Sequence, residues 1–461
     1  MLSKQIPRPI LLGLTAFYVF SCLYAVASHR LWYSDGAWFY VDTLKTKLFF
    51  IDREDMRLFG SALIQAPAFL AMHLGLRNLT ILSIIYDFPF IFQYFISIAC
   101  CLRIAGRENI KYIVFPVLSL FIGSMPCFLL AFHHQHTMLC VFWPLLFIML
   151  FQKKWGPVNL FFFSFFSLIT LQIYESMLIL GPVLASAALI NRMKAKTRSE
   201  MICWSLAALI FSAGTLIALI SVITPGHPGN FQQFKSSALN FMALSPSLFH
   251  PAAFLSVFGL IFTAVSLRMR EKIFIFIFYF FLLINVLAPG IPLFFPEKIA
   301  PWLYYNTRAF GVLIPFFLSV TMIFFKSGQF SLNDGAWRRI FAITALLAFG
   351  QTALDVSMTY QWTRYVKAFQ NELWTHQGLI ANKDIRFMKH LKGRGLVNFG
   401  WDWTWPVMSL LLSPDGQIKT ILLNRPNLIT EPMPEKNFKQ WPDLSEFGVI
   451  YDQSLSQNSS S

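Results

Sequence analysis

Charge is what this chain has least of. Only 13% of its 461 residues are Asp, Glu, Lys or Arg, about half the share usual in a water-soluble protein, which excludes an ordinary soluble domain. Acids are scarcer than bases, 22 against 37. Cysteine is scarce too: Cys22, Cys100, Cys101, Cys127, Cys140 and Cys203 all fall in or beside hydrophobic stretches, and none lies in the C-terminal tail. That excludes a disulfide framework. Segments of ~10 residues alternating polar and apolar are missing, which excludes a membrane β-barrel. An internal repeat is missing as well, which removes the sequence mark of inverted-repeat carriers.

Continuous apolar runs are what the chain has instead. Hydrophobic residues make up 56% of it, with 51 Phe, and the runs recur at the ~20-residue length that crosses a hydrocarbon core. The pattern predicts an all-α polytopic membrane protein of about eleven spans, at 10–28, 80–102, 112–131, 138–151, 158–173, 177–190, 202–223, 250–267, 273–290, 308–325 and 340–358. Phe59–Leu76 is long enough to be a twelfth, but it holds Gln65, Pro67 and His73. Charge decides its reading. With it as a re-entrant or interfacial helix, the segments on one side (the N-terminus, RIAGRENIK, QKK, NRMKAKTRSE, RMREK and 326–339) carry 17 Lys/Arg against 4 Asp/Glu. Basic loops stay cytoplasmic, so the N-terminus is expected inside and the C-terminus outside. Counting 59–76 as a span would export five of those six segments. The net charge of +15 therefore encodes orientation, and no nucleic-acid partner is expected.

The run from Ile10 ends in YAVAS, which has the form of a signal-peptidase site; an uncleaved first span is the reading adopted. Residues 1–358 are expected to form the membrane domain, with 31–76 as an outer acidic and amphipathic loop. Residues 359–450 are expected to form a small α+β extramembrane domain: a juxtamembrane helix from TRYVKAF, strands at LVNFGW and IKTILLN, and a turn at SPDGQ. Residues 451–461 read as a disordered tail. Short loops and absent disulfides point to a bacterial inner membrane.

On this topology one face gathers the polar chemistry. It takes Asp35 and Asp42, the IDREDMR cluster with Asp52, Glu54 and Asp55, the HHQH run, Tyr174 and Glu175, and PEKIAPWLYYNTRAF with Lys298, Tyr305 and Arg308. Asp87 lies about two turns inside the second span. Ionisable groups at such depths line a cavity or pair with one another. Each has a plainer reading. IDREDMR can be a self-pairing solvated cluster, Arg308 an interfacial anchor, Asp87 an interhelical hydrogen-bonding residue, and Glu175 a turn carboxylate facing water. His133 and His136, at i, i+3, can share a helix face toward a metal or sit as interfacial polar groups. Asp35 follows the first span and precedes the amphipathic WFYVDTL. Ser34 or Asp35 can cap that helix, or Asp35 can act as a carboxylate at the membrane rim.

The acidic residue after the first span, the amphipathic outer loop and the Pro-containing QAPAFLAMHLGL resemble GT-C glycosyltransferases. Protein O-mannosyltransferases and the lipid A aminoarabinose transferase are the nearest in layout. The family carries an acidic pair in its first outer loop; here the matching dipeptide is Asp35-Gly36, so the second acid is missing. YNTRAFGVLIPFF resembles the family's late R-Y-x-x-P stretch, with Phe310 for the Tyr and a longer gap to Pro315. GWDWTWP resembles, more distantly, an acceptor-recognition element of oligosaccharyltransferases. The resemblance implies sugar transfer from a polyprenyl-phosphate donor to an exported glycan, lipid or protein acceptor. Asp35 would be general base, with Glu175 or Asp55 as partner, and Arg308, Lys298, His133, His136, Tyr305 and Asp87 would hold the lipid phosphate and substrate. No cofactor is required; a divalent metal is left open. The competing readings are a transporter or flippase and a polysaccharide polymerase.

Overall fold

The computed structural model describes residues 8–33, 35–48, 55–123, 134–152, 155–224, 300–328, 331–381, 404–413, 416–423 and 444–451. Almost all of this is helix. In chain order the helices are α1 (Arg8–Ala27), α2 (Asp35–Thr46), α3 (Leu58–His73), α4 (Leu79–Asn109), α5 (Val114–Leu118), α6 (His134–Phe151), α7 (Pro157–Ile169), α8 (Met177–Lys194), α9 (Arg198–Ile223), α10 (Ala300–Lys326), α11 (Asp334–Thr375) and α12 (Trp405–Leu412). Four short strands pair in parallel: β1 (Gly378–Ala381) with β3 (Thr420–Leu423), and β2 (Gln417–Ile418) with β4 (Ile450–Tyr451). Strand β3 falls within IKTILLN; LVNFGW lies outside the described residues.

Among the described residues, five helical stretches are long and apolar enough to cross a membrane: Leu79–Phe121, α6, α8, α9 and α11. Shorter apolar helices cover Leu12–Ala27, Leu58–His73, Pro157–Gln172 and Ile314–Lys326. The helical membrane class read from composition is therefore supported. The spans expected at 250–267 and 273–290 lie outside the described residues. Leu79–Phe121 is not one straight rod. At 43 residues it would measure ~65 Å, twice the ~30 Å hydrocarbon core. Gly106, at φ 60° and ψ −173°, breaks it inside RIAGREN, where a left-handed φ favours glycine.

Helix α6 is buried nearly all round, whereas α4 and α9 bury one face and leave the other exposed. On α4 the buried side runs through Ser83, Asp87, Phe90, Ser97, Cys101 and Ala105, three, four or seven residues apart, the spacing of one helix face. Ile81, Ile84, Phe88, Phe95, Ile96 and Leu102 are exposed. Helix α9 approaches α8 and the turn after α7 closely because glycine lets it. A Cβ on Gly181 would stand 2.1 Å from Thr215 Oγ1, and one on Gly214 2.8 Å from the Thr170 carbonyl oxygen. Small residues at such contacts let backbones pack where lipid gives no hydrophobic drive.

Among the described residues, the basic stretches at 103–111, 192–200 and 326–339 meet at one end of the bundle. Lys111 Nζ stands 5.5 Å from the Tyr112 ring and 5.6 Å from that of Trp337, and Lys326 Nζ 4.9 Å from that of Phe151. Asn191 Nδ2 donates to the Met149 carbonyl at 2.8 Å, and Tyr112 OH to that of Phe325 at 3.4 Å. The ends of α6, α8 and α10 thus join the starts of α5 and α11.

The opposite end has two tiers. At the rim, Trp362 Nε1 donates to the Ser28 carbonyl at 2.9 Å, Arg30 Nη1 to that of Met358 at 3.2 Å, and Tyr40 OH to that of Leu79 at 2.8 Å. From Trp337 to Met358 along α11 is ~32 Å. Below the rim, α6 starts ~25 Å along its axis from Phe151, and α8 ~21 Å along its axis from Asn191. Helix α3 connects the tiers. Its first turn lies beside His134 and Glu175, and Arg77, just past its end, reaches the rim segment carrying Glu446.

Helix α11 is continuous where the sequence suggested a span followed by a separate juxtamembrane helix. Its upper part presents Met358, Trp362, Tyr365, Phe369 and Leu373 as one buried stripe. Against it packs α12, all eight of whose residues are buried, with Trp405 edge-on to Phe369 at 6.1 Å. Glu446 then ties this C-terminal layer to the outer loop, 2.7 Å from Lys47 Nζ and 3.4 Å from Arg77 Nε.

Candidate functional site

The turn before α8 builds the site's most defined feature. Arg57, at the end of the 3-10 turn Asp55–Arg57, donates from Nε (2.9 Å) and Nη2 (2.7 Å) to Glu175 Oε1. Its guanidinium also lies 5.5 Å from the Tyr174 ring. Both side chains are mostly buried, at 17% and 20% exposure, and Glu175 Oε2 is enclosed with no hydrogen-bond partner. One carboxylate oxygen is thus held by the guanidinium and the other is free to accept. Among the plainer readings, a water-facing Glu175 is replaced by an ion pair; the acid side chains of Arg57's own charge cluster lie outside the described residues.

Beside this pair, Ser61 Oγ and His134 Nε2 are 2.8 Å apart, with both residues buried. Gly60 makes the approach possible: a Cβ there would meet the Ile173 carbonyl oxygen at 2.7 Å and His134 Cδ2 at 2.9 Å. Two residues on, His136 Nδ1 is hydrogen-bonded to Tyr94 OH, and its ring stands edge-on to Phe90. Arg57, Ser61, His134, Tyr94, His136 and Glu175 thus form a polar tier contributed by four segments far apart in sequence.

A double-mutant cycle reads the pair. Glu175→Gln removes the paired carboxylate from a mostly buried guanidinium and is expected to cost about 2–3 kcal/mol, below the 3–5 of a fully buried pair. Arg57→Gln should cost a similar amount, and the double variant clearly less than the sum. Thermal melts of the four proteins in detergent measure this; additive losses would mean no coupling.

At the rim, His29 takes a left-handed backbone (φ 48°), stacks on Trp32 at 4.3 Å and stands 2.8 Å from Ser83 Oγ through Nδ1. Burial pushes its pKa down to about 4. The neutral ring is favoured in the fold, so between pH 6.5 and 4 the unfolded chain binds more protons. Stability from this group is complete above pH 6.5 and lost as pH falls toward 4, on the order of 3 kcal/mol in all. Melting temperature should drop across that window in wild type and drop less in His29→Gln. Burial also raises the Asp42 carboxyl, with Lys45 acting against it.

Asp35 is the first residue of α2, and Asp55 opens the turn that ends in Arg57. Tyr305 and Arg308 lie in the first third of α10. The side chains of these four lie outside the described residues, as do Lys298, His133, Asp52 and Glu54 altogether. Asp87 is fully buried. The Leu31 amide approaches its carboxylate without closing a hydrogen bond of ordinary geometry. Among the described residues no three His, Cys, Asp or Glu side chains are placed to share a metal ion.

Gly36 sits in a turn with no room for a side chain. A Cβ built on it would stand 1.7 Å from the Leu31 carbonyl oxygen, where the chain folds back so that the Gly36 amide donates to the Tyr33 carbonyl at 3.3 Å. No side chain fits there, so the next position cannot supply a carboxylate. The sequence singled out Glu175 and the histidines; it gave no sign of Ser61, Tyr94, Ser83 or the Arg57–Glu175 pairing, each of which depends on which helices become neighbours. No family model, curated protein or solved structure matches the chain.

Proposed function

We propose that this chain is an integral-membrane glycosyltransferase of GT-C type. It would move a sugar from a polyprenyl-phosphate donor to an extracytoplasmic glycan, lipid or protein, with Asp35 as general base. One observation carries the reading: the loop between α1 and α4 forms two helices, α2 and α3, at the end opposite the basic stretches, and α3 begins on the recessed polar tier. Retention of basic loops in the cytoplasm then puts α2, the tier and the C-terminal layer outside, with eleven spans and the N-terminus inside. Residues 359–450 are the small extracytoplasmic domain of this scheme.

The chemistry follows from the residue types. The acceptor hydroxyl gives its proton to the Asp35 carboxylate as its oxygen bonds to the anomeric carbon. The bond from that carbon to the phosphate oxygen breaks, and polyprenyl phosphate leaves with the electron pair. One displacement inverts the anomeric centre. Negative charge grows on the leaving phosphate, and cations in a water-poor setting stabilise it strongly. Arg308 and Lys298 fill that role, with His133, His136 and Tyr305 as hydrogen-bonding groups. Arg57, held by Glu175, adds a cation the sequence did not single out.

Product analysis tests the reading. Purified protein given polyprenyl-phosphate sugars and a lysate of acceptors should release free polyprenyl phosphate in equal amount to sugar transferred. Consumption of no donor across mannosyl, glucosyl, galactosyl and aminopentosyl forms would set the reading aside in favour of transport.

A further inference from the structure

The C-terminal layer sets one carboxylate between the far ends of the two outer-loop helices. Lys47 closes α2: its backbone is left-handed (φ 53°), the conformation that ends a helix, and its amide donates to the Thr43 carbonyl at 3.0 Å. Arg77 closes α3. Its Nη1 donates to the Met72 and Leu76 carbonyls at 2.6 and 3.1 Å, so the side chain is folded onto its own helix end. Glu446 meets both cations, with Oε1 2.7 Å from Lys47 Nζ and Oε2 3.4 Å from Arg77 Nε. Each carboxylate oxygen serves one helix. The turn that carries it, Ser445–Phe447, is well seated: Leu444, Phe447 and Val449 are buried, and the Arg77 guanidinium lies 5.8 Å from the Phe447 ring.

We infer that Glu446 is a positioning residue: by clasping Lys47 and Arg77 at once it fixes α2 against α3, and with them the place of Asp35 relative to the polar tier. Its effect on rate rests on the transfer reading. Asp35 opens α2, and Ser61 of the tier lies in the first turn of α3. The two helices are rods of ~17 and ~23 Å, so a change of angle at the clasped ends is carried to the others. They also meet midway, where Thr43 Oγ1 donates to Gln65 Oε1 at 3.3 Å, a single bond about which they can pivot. The three charged side chains are 33–50% exposed, and exposed ion pairs add little stability. Alignment is another matter, since misplacing a reacting group by ~1 Å can cost ~100-fold in rate.

The test reads distance and rate separately. Spin labels at Thr46→Cys and His73→Cys, both exposed positions, report the separation of the two helix ends by pulsed electron paramagnetic resonance. Cys100, Cys127 and Cys203 are replaced by Ala in this background; Cys22, Cys101 and Cys140 are buried. At low salt the distance distribution should be single and narrow. Glu446→Gln should broaden it, as should about 1 M salt, which screens exposed charge. Lys45→Gln, which removes a neighbouring exposed cation, should not. In transfer, Glu446→Gln should lower kcat about tenfold with donor KM and melting temperature unchanged, and the charge-retaining Glu446→Asp should lose severalfold less. An unchanged distribution in Glu446→Gln would overturn the clasp. Broadening with full kcat, or a kcat that falls together with melting temperature, would overturn the positioning role. Absence of transfer in wild type would remove the transfer reading and the rate effect with it, while the distances would still decide the clasp.

Discussion

Asp35→Asn is expected to lower sugar transfer by about a hundredfold to ten-thousandfold, the range a positioned general base contributes. The fold should remain intact. Asn matches Asp in shape and serves as well at a helix N-terminus, so α2 should start at the same residue and the melting temperature should hold. Asp35→Ala removes both roles, and comparing the two separates them. A small loss in Asn with a large loss in Ala would make residue 35 a structural cap and move the base to Glu175 or Asp55. Transfer assayed on protein purified to one oligomeric peak, with melts alongside, gives both numbers.

Gly36→Asp should abolish transfer and leave little folded protein. By family likeness the change restores an acidic pair, and a gain would be the naive expectation. The geometry says otherwise: 1.7 Å between a residue-36 Cβ and the Leu31 carbonyl oxygen is less than half an ordinary contact. The other atom is backbone, so relief requires moving the whole turn. That turn is pinned by Arg30, Leu31, Trp32 and Tyr33, all buried, and displacing it should cost several kcal/mol as severe overpacking does. Detergent-extractable monodisperse protein should fall sharply in Gly36→Asp and nearly as far in Gly36→Ala. Normal yield with normal transfer in either would show that the turn opens freely.

Much of this was legible in the chain because lipid imposes simple rules. Run length and loop charge marked the helices and grouped the basic segments, and the three of those segments within the described residues do meet at one end, through Lys111, Asn191, Lys326 and Trp337. A chain rule of that kind says nothing about depth. The recessed starts of α6 and α8, and α3 rising from them to the rim, depend on how far neighbouring helices slide past each other. Asp35 and Glu175 stood out as acids in an acid-poor chain. Arg57 did not, since within IDREDMR its nearest acids in sequence looked like sufficient partners. Nor could periodicity show that α11 continues from span to extramembrane stripe without a break; its 42 residues hold no proline, and nothing else stops it.

The most direct measurement uses proteoliposomes loaded with a labelled polyprenyl-phosphate sugar and a membrane-impermeant acceptor on the side facing the polar tier. The account predicts covalent labelling of the acceptor by wild type, none by Asp35→Asn, and no release of free labelled sugar across the bilayer. Passage of label across the membrane without a new glycosidic bond, equal in wild type and Asp35→Asn, would contradict it and make the protein a carrier.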